Sequence, residues 1–174
     1  TINKYETNKL LREKGFLVAD HLMVTKQEFN DDRENTLDII EQNFSYPLIA
    51  KPHDEGCSSA VLKLDNRAML QAYARTTFRE EEIIDEHNAK ILGISIYSEF
   101  PRNSEFLVES LISEENAGTF MEITGGMLCK LNPNGETQYE TFEPSEALAG
   151  RGILSLEEKF LAGQGQNITP ARFH

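Results

Sequence analysis

Lys51 closes a short apolar run, YPLIAKP, and is followed at once by the polar stretch HDEGCSSA. In that position the strand covers the aliphatic stem of the lysine while its ammonium reaches a cleft. The loop behind it offers Gly56, Ser58 and Ser59, whose backbone N–H groups and hydroxyls can approach phosphate oxygens. A cation beside a small-residue loop is the chemistry of a phosphate clamp. The competing reading is a surface hairpin with a snorkelling lysine, and the stretch taken alone favours that simpler account. Among the histidines, His21, His53, His87 and His174, none stands at triad spacing from a Ser or Cys, and only His53 lies beside the loop. Cys57 and Cys129 lack a CxxC or Cys/His pattern, so they read as reduced thiols rather than a zinc site or a disulfide framework. No base is identifiable near Cys57, which argues against a nucleophile there.

Several elements must position these groups. Asn3 to Lys14 sets Tyr5, Leu10 and Leu11 among charged residues and stops at Gly15, the pattern of an amphipathic helix with a glycine C-cap. FLVADHLMVT reads as extended, and ENTLDIIEQNF returns to helical spacing before Pro47. YPLIAKP and VLKLD form a hairpin around the polar loop, and Asn66 caps a helix through RAMLQAYARTTF. REEEIIDEHNAK reads as an exposed helix end or connection. From Lys90 onward the pattern predicts strands, ILGISIYSEF, EFLVESLI, FMEITGGML and TQYETFEP, with turns at Pro101–Asn103 and Asn132–Gly135. A short helix is expected in LSLEEKFLAG. Helices early and neighbouring strands joined by short turns later argue an α+β fold with antiparallel sheets.

Length and charge bound the function. A chain of 174 residues with 39% hydrophobic content can bury a core. Its 29 acidic and 17 basic residues leave a net charge of -12, which disfavours nucleic acid as a partner. No apolar run approaches the roughly 20 residues that span a bilayer, and the opening residues lack a signal-peptide centre, so the expectation is no membrane partner and a cytoplasmic location. Both ends look like cut ends.

Read in order, NKYETNKLLREKG, IAKPHDEGCSS, FLVESLI and LSLEEKFLAGQGQNITPA resemble segments of the ATP-grasp superfamily, nearest to its D-Ala-D-Ala ligase branch, over Asn3 to Ala171. The family's opening D-K pair starts a helix whose lysine reaches nucleotide phosphates; Asn3 replaces the acid and Lys4 takes the lysine's place. Its V-K-P strand and R-E-G-S-S loop correspond to Lys51 and to Gly56, Cys57 and Ser58, the loop folding over the phosphates as a lid. Its L-I-E-K-W-L strand corresponds to FLVESLI, so Glu109 would accept from the adenine amino group and the backbone of Ser110 and Leu111 would imitate a pairing base edge. Its Y-E-A-K-Y-L stretch, leading into T-Q-Y-x-x-P-A, gives Lys159 as another phosphate-facing lysine. The ribose-binding acid is expected to be Glu122, with Glu115 as the alternative.

The resemblance implies an ATP-grasp-like α+β fold of antiparallel sheets and packed helices in two small lobes, incomplete at both ends. Residues 20–110 would form a lid-type lobe, and 1–19 with 111–174 parts of the second lobe. It implies the ATP-binding portion of an ADP-forming carboxylate–amine ligase, with ATP and magnesium as cofactors and a small carboxylate and an amine as substrates of the whole enzyme. A non-catalytic nucleotide-binding or structural module derived from such a ligase is the alternative. The family's R-x-D and E-x-N metal ligands would lie beyond NITPA, so no catalytic or metal-binding residue is expected in these 174 residues and the chain alone should be catalytically silent. The sequence departs from the pattern at Cys57, where the family has a loop serine, at Ser110, a shorter hinge side chain, and at Phe160, where a tyrosine is usual. Because ATP is a polyanion, a chain of net charge -12 must concentrate cations to hold it, and Lys4, Lys51 and Lys159 come from three distant segments.

Overall fold

A computed structural model describes residues 3–112, 121–148 and 166–172. Its contacts divide the chain into a first unit, Thr1–Ile112, and a second, Ser113–His174. The first unit begins with helix α1 (Lys4–Glu13), whose N-terminus is capped by the Asn3 side chain accepting from the Glu6 N–H. The expected glycine stop is present: Gly15 adopts φ +84° and the Phe16 N–H returns to the Leu11 carbonyl. Strand β1 (His21–Thr25) follows, and Thr25 forms a capping box with Glu28 to start α2 (Lys26–Asp31), an element the sequence pattern did not distinguish. Helix α3 (Arg33–Asn43), strand β2 (Leu48–Lys51), strand β3 (Leu62–Leu64) and helix α4 (Arg67–Thr77) occur where the spacing predicts them, and Asn66 caps α4 by accepting from the Met69 N–H.

ILGISIYSEF is not a strand: Ile91 and Leu92 end helix α5 (Glu86–Leu92), and Gly93 in the left-handed conformation stops it. The β-branched residues of that stretch suit a strand locally, but Asp85 caps a helix whose Ala89 and Leu92 are buried in the core, and tertiary packing decides. The next strand is β4 (Glu105–Ser110).

The sheet runs β1-β4-β2-β3, antiparallel throughout. β4 lies between β1 and β2, with Glu109 opposite both His21 and Ile49, and Leu107 opposite Met23 and Lys51. Alternation then separates two faces. One carries Val24, Leu48, Ala50, Leu64, Phe106 and Val108, all buried against Leu37 and Ile40 of α3 and Leu70 and Tyr73 of α4. The Tyr73, Phe78 and Phe106 rings tighten this layer, with centroids 5.1 Å (Tyr73–Phe106) and 5.4 Å (Phe78–Phe106) apart. Arg67 ties α4 to α3 through Glu34, Asp38 and Glu41. The other face carries His21, Ile49, Lys51, Leu107 and Glu109, and α1 lies over it: Tyr5 meets the His21 ring edge-on at 5.6 Å and Asn8 reaches Glu109.

Contacts group α1 with residues 20–112 in the first unit. The physical links are the Lys4 N–H, which donates to the His53 carbonyl at 2.7 Å, and the Asn8–Glu109 hydrogen bond.

In the second unit β5 (Glu122–Thr124), β8 (Ser145–Leu148) and β9 (Gln166–Ile168) form an antiparallel sheet. FMEITGGML, expected as one strand, breaks at Gly125–Gly126 into β5 and β6 (Met127–Leu131), and β6 pairs with β7 (Thr137–Thr141) across the anticipated Asn132–Gly135 turn. The helix expected in LSLEEKFLAG lies outside the described residues. Among the described residues no helix is long and apolar enough to cross a membrane.

Candidate nucleotide site

Lys51 is the last residue of β2 and projects on the sheet face opposite the core. Its ammonium lies 2.5 Å from Glu109 Oε2, with only 20% and 10% of the two side chains exposed. Lys51 faces Leu107 directly, so it meets Glu109 along the diagonal of the ladder, a reach that a long side chain spans. The other oxygen of Glu109, Oε1, accepts from Asn8 Nδ2 at 3.0 Å.

Lys4 arrives from the first turn of α1. Its Nζ donates to the Pro52 carbonyl at 3.1 Å and to the Glu55 carbonyl, so the ammonium is seated on the loop that follows Lys51. Partial burial, and then the positive charge of Lys51, hold the Lys4 ammonium below its ordinary pKa of 10.5; Asp54, Glu55 and Glu109 pull the other way. Two cations have therefore been brought close enough to repel each other, with a carboxylate beside them.

The loop from 52 to 61 turns sharply. The Ser59 N–H donates to the Gly56 carbonyl and the Val61 N–H to the Ser58 carbonyl, at 3.0 and 3.2 Å. Cys57, Ser58 and Ala60 take left-handed backbone with φ of 54°, 61° and 50°, a conformation costing a non-glycine residue roughly 1–2 kcal/mol. Space around Gly56 is open and the Cys57 thiol is exposed. The buried Tyr73 hydroxyl anchors the far end by donating to the Ala60 carbonyl at 2.9 Å. His53, with 17% of its side chain exposed, places Nδ1 3.7 Å from Asp54 and Nε2 3.9 Å from Glu105.

Ser110 ends β4, and its N–H is already donated to the Asp20 carbonyl at 2.9 Å; Leu111 follows immediately past the strand. Glu122 is an exposed residue of β5 in the second unit. Lys159 and the alternative acid Glu115 lie outside the described residues. The structure thus brings together Lys4, Lys51 and Glu109, with Gly56, Cys57 and Ser58 on the adjoining loop. Sequence reasoning missed Asn8; its only signal was its position four residues after Lys4, on the same face of the helix.

Converging ammonium groups, one of them losing proton affinity through burial and repulsion, suit a polyanion such as the phosphates of ATP. Magnesium is different. Among the described residues no group of three or more His, Cys, Asp or Glu side chains is placed to hold a metal ion.

The fold is that of ATP-grasp ligases. It resembles VanG D-Ala:D-Ser ligase from Enterococcus faecalis with a TM-score of 0.63 at 20% identity, matching 99% of this chain and 39% of that one. The D-alanyl-alanine synthetase A of Vibrio cholerae gives 0.57 at 15% identity over 99% and 42% of the two chains. The ADP complex of purK, an N5-carboxyaminoimidazole ribonucleotide synthetase, gives 0.54 at 18% identity over 100% and 33%. The chain belongs to the family described as D-ala D-ala ligase C-terminus, whose model matches residues 10–98. In sequence it is 29% identical to a D-alanine–D-alanine ligase of Azobacteroides pseudotrichonymphae over 172 residues, 99% of this chain but 42% of that protein. A D-alanine–D-alanine ligase of Acetivibrio thermocellus is 39% identical over 64 residues, 36% of this chain and 17% of that protein.

Proposed function

We propose that this chain forms the ATP-binding portion of an ATP-grasp carboxylate–amine ligase. In the reaction of such a ligase a carboxylate oxygen attacks the γ-phosphorus of ATP, releasing ADP and leaving an acyl phosphate. An amine then attacks the acyl carbon, phosphate departs with the bonding pair, and an amide remains. Lys4 and Lys51 neutralise the phosphates, and the loop at Gly56, Cys57 and Ser58 folds over them as part of a lid-type lobe spanning 20–110. Glu109 accepts from the adenine amino group and the backbone at Ser110 and Leu111 lines the base edge. Glu122 holds the ribose, and Lys159 adds a third cation. Magnesium, held by ligands outside these residues, neutralises further phosphate charge when bound. The small carboxylate and amine are substrates of the whole ligase, acting in the cytoplasm.

The observation that carries this reading is the meeting of Lys4, Lys51 and Glu109, from α1, β2 and β4, on the sheet face away from the core. Calorimetric titration tests it: ADP and Mg-ATP should bind weakly, and Lys51→Ala should weaken binding further. Unchanged binding in that variant would remove the site. A second reading, a nucleotide-binding module without ligase activity, is favoured by Cys57, exposed in left-handed backbone where the family has a loop serine. Acyl-phosphate-dependent phosphate release by the whole protein separates the two.

A further inference from the structure

Asn8 contributes a side chain to this site from a helix that is fixed at both ends. At its start the Lys4 N–H donates to the His53 carbonyl at 2.7 Å, and Tyr5 packs edge-on against His21. Near its end Arg12 donates to the Ala19 carbonyl and to Asp20 Oδ1, each at 3.1 Å. Lys4, Asn8 and Arg12 are four residues apart, so they form one stripe with steps of about 6 Å along the axis. That stripe runs from the phosphate-loop carbonyls, past Glu109, to the Asp20 segment whose carbonyl receives the Ser110 N–H.

The consequence falls on the Glu109 carboxylate. Glu109 as a residue is 8% exposed, and its carboxylate holds one donor on each oxygen: Lys51 on Oε2 at 2.5 Å and Asn8 on Oε1 at 3.0 Å. With both oxygens engaged the carboxylate plane is set, and each oxygen keeps a lone pair with which it can accept from a further donor. Take away the Asn8 amide and the terminal torsion of Glu109, which is soft, can turn both oxygens toward the Lys51 ammonium.

We propose that Asn8 is a positioning residue: by clamping Oε1 of Glu109 it aims the carboxylate so that the site accepts a purine nucleotide bearing a 6-amino group and rejects one bearing a 6-oxo group. A 6-amino group donates to the fixed carboxylate. A 6-oxo group sets acceptor against acceptor in a desolvated place, and a site built for a donor discriminates strongly against a ligand lacking it. The inference rests on the nucleotide reading above and adds to it the residue that sets base selectivity.

The test is calorimetric titration of the 174-residue chain with ADP and with IDP, for the wild type, Asn8→Ala and Asn8→Asp. α1 contributes no fully buried side chain, so both variants should fold, and far-UV circular dichroism checks this directly. The wild type should prefer ADP. Asn8→Ala should lose roughly 5- to 10-fold in ADP affinity with IDP affinity nearly unchanged, so the ADP-to-IDP ratio falls. Asn8→Asp has the same shape but sets a second carboxylate against Glu109, and should lower the ratio at least as far. A merely structural role for Asn8 would weaken both nucleotides in parallel. A folded variant with the wild-type ratio therefore overturns the positioning role while leaving the nucleotide site standing. A wild type that binds neither nucleotide overturns the site itself.

Discussion

The Lys51–Glu109 pair offers the most direct test of how the site is held together, because its energy can be bounded before measurement. Exposed ion pairs contribute roughly 0.2–1 kcal/mol, whereas breaking a deeply buried pair costs roughly 3–5 kcal/mol. With side-chain exposures of 20% and 10% and a separation of 2.5 Å, this pair lies between those limits. Two features lower the cost of removing the cation: Asn8 still donates to Glu109, and the repulsion between Lys51 and Lys4 disappears. Lys51→Met, which keeps most of the stem and removes the charge, should therefore destabilise the first unit by about 2 kcal/mol. Glu109→Gln should cost less, because its amide oxygen still accepts. If the two groups hold each other, the double variant should lie about 1–2 kcal/mol closer to the wild type than the sum of the single losses. Urea unfolding followed by far-UV circular dichroism measures all four proteins; the chain has no tryptophan to report by fluorescence. Additivity within about 0.5 kcal/mol would refute the coupling.

Further expectations concern the loop and the charges around it. Tyr73→Phe removes the donor to the Ala60 carbonyl, and should cost about 1 kcal/mol and speed amide hydrogen exchange at residues 56–60. Cys57 sits at φ 54°, so Cys57→Gly should be neutral or slightly stabilising while Cys57→Val loses about 1 kcal/mol or more; equal thermal stabilities would argue against the left-handed loop. For Lys4 the folded chain binds its proton more weakly than the unfolded chain, so the unfolded state carries the extra proton between the lowered value and 10.5. The unfavourable contribution of Lys4 is present below that window and is relieved as the pH rises through it. A bound polyanion reverses the shift, so ADP binding in alkaline buffers below 10.5 should take up protons. Calorimetry in buffers of different ionisation enthalpy measures this, and proton release instead of uptake would contradict the placement of Lys4.

Much of the local architecture was legible in the residues themselves. The Gly15 stop of α1, the Asn66 cap of α4, the pairing of β2 with β3 around the polar loop, and the Asn132–Gly135 turn all follow from short-range rules of capping and turn geometry. Lys51 at a strand end beside a small-residue loop was equally plain. Where local preference and packing disagreed, local reading failed: the β-branched run after Lys90 looked like a strand, yet Ala89 and Leu92 bury themselves as part of a helix.

What no short window could decide is which groups meet. The placement of β4 between β1 and β2 sets Glu109 opposite Ile49 and His21, and so within reach of a lysine 58 residues earlier in the chain. The same sheet face receives α1, which brings Asn8 to a carboxylate 101 residues away and seats Lys4 where burial and Lys51 weaken its hold on a proton. Capping, alternation and turns act over a few neighbouring residues and were therefore fixed by local sequence. Partnership across the sheet depends on strand order and register, which come from burying one face against α3 and α4 as a whole, and that decision belongs to the tertiary structure alone.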